Sequence, residues 1–332
     1  MTMSSFVHLV IPVYNRLDYI QQLLDSLLLL DLTNIKLSIT IIDDGSNPTL
    51  ESQLKVPLSQ PWKIRFLRNT TPLGPASCRN LAISYHPYGY VWFLDSDSEI
   101  VNPICLRSMI SILESHPNVC ASGGVLENTP NGLAAIEWEE AFNFFHLAKP
   151  LSPSNYQQTF VHHIASSNLF LSYDWLKSFD GFNESLDRDE DKYLCCQLRT
   201  KGLRFIQSRD TLVMHHFTSE GRNEGFFSYF KDSNRFYRSV LYGRVDLLLS
   251  FSWARLLFLP LLDIFVFPQL LYKIYSGRYL PSRFTRLEDG KSLLSLSSFG
   301  FIAYILFCSY LSGYRKLISE LRKFLLVNAS SN

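Results

Sequence analysis

This sequence has little charge. Only 18% of its 332 residues are Asp, Glu, Lys or Arg, and 31 basic side chains nearly cancel 30 acidic ones, for a formal net charge of +1. A chain so close to neutral lacks the positive field that holds proteins on phosphate backbones, so nucleic acid is not an expected partner. The cysteines Cys78, Cys105, Cys120, Cys195, Cys196 and Cys308 contain no C-x-x-C pair and no zinc-ligand spacing, so buried free thiols in a reducing compartment are expected. No basic residue stands between Met1 and Phe6, and the apolar stretch that follows is cut at Pro12, so no secretory leader is expected. No internal repeat is visible. What abounds is apolar: 47% hydrophobic and 14% aromatic residues suffice for a large core, exclude disorder, and point to a surface that meets a membrane or a partner. At about 150 residues per domain, the length suggests two units.

Short β-rich runs alternate with helical stretches through the first half. Residues 8–11, 37–42, 64–67 and 90–94 read as buried strands, and 17–30, 76–84 and 100–113 as helices. That alternation predicts an α/β domain with a parallel sheet covered on both faces. Residues 125–165 lose the rhythm and become loop-rich and aromatic. Order returns at 169–175, at a helix over 191–200, and at strands near 203–207 and 212–214. From Phe226 onward the chain is basic, aromatic and then strongly apolar, so the expected organisation is a catalytic domain over 1–225 and a helical, membrane-associating tail over 226–332.

Three acidic clusters stand where chemistry could be done. Asp95-Ser96-Asp97-Ser98-Glu99 follows an apolar strand, and open α/β sheets bind ligands beyond the carboxyl ends of their strands. Two carboxylates there offer hard oxygen ligands for Mg²⁺ or Mn²⁺, although Asp and Ser before 100–113 also suit a helix N-cap. Asp97 is expected to face solvent at that strand end. Asp43-Asp44-Gly45-Ser46 closes another strand; it could accept from base or ribose groups, or be an ordinary turn. Asp187-Arg188-Asp189-Glu190-Asp191 opens a helix, where carboxylates complement the macrodipole but could also supply a general base. His215-His216 ends a further strand, so His215 is a candidate metal ligand or a structural histidine.

In order along the chain stand Ile11-Pro12-Val13-Tyr14-Asn15-Arg16, Ile42-Asp43-Asp44-Gly45-Ser46, Asn69, Gly74-Pro75-Ala76 and Arg79-Asn80-Leu81-Ala82. Phe93-Leu94-Asp95-Ser96-Asp97, Phe179-Asp180-Gly181-Phe182-Asn183-Glu184, Glu190-Asp191 with Leu194-Cys195 and Leu198, and Val213 with His215 follow. From residue 8 to about 217 this series resembles the family 2 nucleotide-sugar glycosyltransferases with the A-type (GT-A) fold. The resemblance implies a Rossmann-like α/β domain with a mixed, mostly parallel sheet, and an enzyme using a nucleotide-diphosphate sugar and Mn²⁺ or Mg²⁺. It implies Pro12, Tyr14 and Asp44 around base and ribose, Arg79 near the diphosphate or ribose, and Asp95 on the ribose or metal. It further implies Asp97 as metal ligand with His215 completing or approaching the shell, Asp191 as the base that deprotonates the acceptor hydroxyl, and Glu190 beside it on the acceptor.

Three departures qualify the likeness. Ser98 stands where a third acid is frequent, Lys192 and Tyr193 break the acidic helix pattern, and no Q-x-x-R-W follows His216. The last resembles the hallmark of processive synthases, so single-sugar transfer is expected. The leading expectation is therefore an inverting transferase adding one sugar to a glycan or lipid-linked acceptor. A polyprenyl-phosphate sugar synthase is the alternative, and a catalytically dead nucleotide-sugar-binding module a further one. The tail argues for the cytoplasmic face of a membrane. Between Lys291 and Arg315 lie 23 uncharged residues, against about 20 needed to span. Residues 247–271 carry Arg255, Asp263, Pro260 and Pro268, and basic residues flank every end, so an interfacial, monotopic hairpin is expected.

Overall fold

The structure, a computed structural model, describes residues 4–56, 60–85, 88–127, 158–161, 163–184 and 190–216. The first apolar run extends as β1 (Ser5–Val13), which pairs in parallel with β2 (Ile35–Asp43) on one side and β4 (Tyr90–Leu94) on the other. Beyond β2 lies β3 (Lys63–Arg68), again parallel. Side chains alternate across these strands: Leu9, Ile11, Trp92 and Leu94 enter one apolar cluster, while Val10, Val91 and Phe93 enter another. Helices α1 (Leu17–Ser26) and α3 (Cys105–Ser115) bring Ile20, Leu23 and Met109 to the first cluster. Helix α2 (Pro75–Ile83) and the helix Glu190–Thr200 bring Ala76, Ala82, Leu194 and Leu198 to the second. Coverage on both faces is why the central strands are continuously apolar.

The remaining strands make the sheet mixed. β6 (Val119–Gly123), β8 (Gln158–Val161), β9 (Asn168–Ser172) and β10 (Arg204–Ser208) extend it, in the order β3-β2-β1-β4-β9-β6-β10-β8 among the described residues. β9 runs antiparallel to both β4 and β6, and β8 antiparallel to β10. The all-parallel sheet expected from alternation is thus corrected to the mixed, mostly parallel form that the family resemblance implies. β5 (Ser98–Glu99), β11 (Val213–His215) and β7 (Val125–Glu127) form a second, smaller sheet. Close packing at β6 requires glycine: Gly123 has φ +149°, and a Cβ there would sit 1.9 Å from the Asn168 carbonyl oxygen.

Several boundaries move for local reasons. The helix expected over 17–30 ends at Ser26 and tightens into a 3₁₀ turn, Leu27–Leu29. α2 starts at Pro75, whose fixed φ suits a first helical position, behind Gly74 at φ +91°. The helix expected from residue 100 begins only at Cys105, because Pro103 restricts the residue before it and 98–99 are extended. Asp95 and Asp97 therefore do not cap α3. Two strands, β7 and β8, appear within the stretch read as loop; β8 is an edge strand with Phe160 exposed, which weakens its apolar pattern. The expected tail over 226–332 lies outside the described residues. Among the described residues, no helix is long and apolar enough to cross a membrane.

Candidate active site

Leu94 is the last residue of β4, and the turn beyond it presents Asp95 and Asp97 at the carboxyl end of the sheet. The short pairing of β5 with β11 sets His215 opposite Ser98, and the His216 N–H donates to the Asp97 carbonyl oxygen at 2.8 Å. His215 Nε2 then lies 3.1 Å from Asp97 Oδ1 and 3.8 Å from Asp95 Oδ2. One ligand atom from each of the three residues falls within 4.8 Å of the others. Two carboxylates and an imidazole, with Asp97 and His215 buried and Asp95 partly open, suit a divalent cation such as Mn²⁺ or Mg²⁺. Asp97 is only 1% exposed, so the solvent-facing carboxylate expected from the sequence is corrected. Arg16 on one oxygen and His215 of β11 on the other cover it.

Arg79, 2% exposed on α2, joins this cluster to the helix Glu190–Thr200. Its Nη2 donates to Asp95 Oδ1 at 2.8 Å and its Nη1 to Glu190 Oε1 at 2.5 Å, with the guanidinium 5.4 Å from the Phe182 ring centre. Burial opposes the charge on Arg79, but the carboxylates of Glu190, Asp95 and Asp191 outweigh it and hold its pKa above the ordinary value. Glu190 is pushed up to about 7, first by burial and then by the like charge of Asp191, against the pull of Arg79. Burial also acts upward on Asp191, yet Lys192, His163, the Ser166 N–H and Arg79 together hold its carboxyl below the usual range. The Ser166 N–H donates to Asp191 Oδ2 at 2.9 Å. Two adjacent carboxyls thus differ in character: Asp191 is ionised at neutral pH, and Glu190 retains a share of its proton. Glu190, which the resemblance places beside the acceptor, is buried and paired with Arg79.

The third acidic turn lies at the end of β2. Asp44 accepts from Asn69 Nδ2 at 2.7 Å, the Leu73 N–H at 2.9 Å and the Gly74 N–H at 2.9 Å, so its carboxylate pins the loop that leads into α2. Asp43 accepts from the Ser46 N–H at 2.8 Å and pairs with Arg68. Pro12 lies on β1 in register with Ile42, and Tyr14, 38% exposed, follows at the same sheet end. Pro12, Tyr14 and Asp44 therefore share one end of neighbouring strands with Asp95 and Asp97.

Some participants carried no signal of their own. Arg16 donates through Nη1 to Asp97 Oδ2 at 2.8 Å from 81 positions away. Asn168, fully buried, accepts from Trp92 Nε1 at 2.8 Å and donates to the carbonyls of Gly124 and Thr211 at 2.6 and 2.8 Å. His216 Nε2 lies 2.7 Å from Glu99 Oε2, bracing β11 on β5. Arg16 was visible only as the last residue of the Ile11-to-Arg16 stretch, with no role assigned to it.

Residues 8–165 match the model of Glycosyl transferase family 2. That stretch of the chain is similar to a family 2 glycosyltransferase domain. An uncharacterized glycosyltransferase of Haemophilus influenzae is 29% identical over 110 residues, covering 33% of this chain and 43% of that relative. The chain thus spans less than half of that relative's length. The mannosyltransferase PcManGT from Pyrobaculum calidifontis, solved with GDP-Man and Mn²⁺, is 15% identical with a TM-score of 0.55, covering 94% of this chain and 88% of that one. S. aureus TarS 1–349 with UDP is 16% identical with a TM-score of 0.51, covering 96% and 91%. The two solved structures show the GT-A fold alone.

Proposed function

We propose that this chain is an inverting, non-processive glycosyltransferase that moves one sugar from a nucleotide-diphosphate sugar to a hydroxyl of a glycan or lipid-linked acceptor. The observation that carries the reading is the convergence of Asp95, Asp97 and His215 beside Arg79 and the Glu190-Asp191 pair, at the strand ends that also bear Pro12, Tyr14 and Asp44. Asp95, Asp97 and His215 would hold Mn²⁺ or Mg²⁺, which would stabilise negative charge on the departing diphosphate. Pro12, Tyr14 and Asp44 bind the nucleoside, Tyr14 through its exposed ring. Asp191, ionised at neutral pH, takes the proton from the acceptor hydroxyl as that oxygen bonds to the anomeric carbon. The bond from that carbon to the diphosphate oxygen breaks with its electron pair, and attack from the opposite side inverts the centre. Arg79 stays cationic and keeps the base helix and the Asp95 turn at a fixed distance.

Support for a nucleotide-sugar donor comes from the family match and from neighbours solved with GDP-Man and with UDP. A thermal-shift panel of UDP, GDP, dTDP and CMP, each with and without Mn²⁺, tests it, since a ligand of the folded state raises apparent stability by mass action. One nucleotide should give a metal-dependent shift; no shift with any of the four would overturn the donor assignment. The reading extends to location: residues 226–332 hold the enzyme on the cytoplasmic face of a membrane, supported by the 23 uncharged residues after Lys291 and the basic residues on both sides of them.

A further inference from the structure

We propose that Arg16 is a built-in rival of the divalent cation for Asp97, and that it releases this carboxylate when a nucleotide diphosphate is present to receive its guanidinium. The inference rests on the metal and donor sites argued above.

Arg16 stands where β1 turns into α1, and its backbone is fixed from both sides. The preceding residue, Asn15, has φ +51°; its N–H donates to Ser46 Oγ at 2.9 Å and its Oδ1 accepts from the Asn47 N–H at 3.0 Å. On the other side, the Arg16 carbonyl accepts the Ile20 N–H at 3.1 Å, which starts α1. From this anchored position the side chain, 12% exposed, reaches Asp97 Oδ2 at 2.8 Å. The opposite oxygen, Oδ1, is the one 3.1 Å from His215 Nε2.

Charge decides what this contact does. The two carboxylates of the cluster already have a guanidinium each, Arg79 on Asp95 and Arg16 on Asp97. A dication bound by Asp95, Asp97 and His215 meets both positive charges at short range in a buried setting, where Coulomb terms are weakly screened. Arg79 is held in place by Glu190 and by the Phe182 ring. Arg16 follows Pro12 and Tyr14 four and two positions on, at the sheet end where the donor's nucleoside is placed. A diphosphate suits a guanidinium, whose planar fork matches paired oxygens. Metal and nucleotide then relieve each other's electrostatic cost, and the linkage is reciprocal. Were Arg16 simply an orienting partner of Asp97, its loss would weaken metal binding; as a rival, its loss tightens it.

The test is a titration of the full-length chain with MnCl₂, followed by the EPR signal of free Mn²⁺, alone and with excess UDP or GDP. Asp97→Asn supplies the baseline for Mn²⁺ held by nucleotide in solution. Arg16→Gln should bind Mn²⁺ alone about tenfold or more tighter than the wild type, with a smaller further gain from nucleotide, while Arg16→Lys, which keeps the charge, stays near the wild type. Equal or weaker Mn²⁺ binding by a folded Arg16→Gln chain, checked by circular dichroism, overturns the proposal. Should that variant not fold, the wild type decides: nucleotide must tighten Mn²⁺ binding about tenfold, and no tightening overturns the proposal. Wild-type Mn²⁺ affinity in Asp97→Asn would instead remove the metal site itself.

Discussion

Arg79 and Glu190 meet at 2.5 Å inside the protein, although 111 positions separate them in the chain. The pair ties α2 to the start of the helix Glu190–Thr200, and it shares its site with Asp95 and the ionised Asp191. One guanidinium cannot neutralise three carboxylates, and Glu190 is the buried one, so a proton on Glu190 is the cheapest relief. With its pKa raised from 4.5 to about 7, Glu190 favours the folded state fully below 4.5, and that contribution is lost as pH rises through about 7. Glu190→Gln, which is neutral throughout, should lack this loss. Its Tm relative to the wild type should therefore climb between about pH 4.5 and 7, and a constant difference across that window would refute the assignment.

Asp97→Asn should abolish turnover together with the metal-dependent part of nucleotide binding. Because the carboxylate is buried between Arg16 and His215, the substitution should also cost roughly 1–3 kcal/mol of stability, read from urea unfolding. Full activity of the wild type in EDTA would contradict the metal's role.

Asp191→Asn should leave donor binding near normal and slow transfer by roughly 10² to 10⁴, the span expected for a positioned base. Nucleotide affinity and single-turnover rates separate the two effects. Unaltered transfer would favour a phosphate acceptor, which needs no strong base.

Asn168→Ala should be more destabilising than any site substitution. It strands the Trp92 indole N–H and the carbonyls of Gly124 and Thr211 without their partner in a buried position. At roughly 1–3 kcal/mol for each unsatisfied group, a loss of several kcal/mol is expected in denaturant titrations. A change within experimental scatter would show that other groups take over these bonds.

The full-length protein should fractionate with membranes and resist high-salt extraction. An engineered cysteine at Ser282 should stay unlabelled from the outer face of intact cells. Recovery in the soluble fraction without detergent would remove the membrane assignment, and outer-face labelling would remove the interfacial topology.

The strands of the first half and their polar ends were readable without coordinates. β1, β2 and β4 are apolar because both faces are covered, and each stops at a polar turn, which marked Asp44, Asp95 and Asp97 directly. His215 was legible on the same ground, as a polar residue after a short apolar run. The direction of β9 was not, since a fully buried strand has the same composition whether it runs parallel or antiparallel. Nor was the partnership of Arg16 with Asp97, or of Arg79 with Asp95 and Glu190. Local sequence reports how well a segment suits a strand, a helix or a turn, because those preferences act within a few residues. Which charges meet depends on strand order and register, and these follow from how both faces of the whole sheet are buried at once.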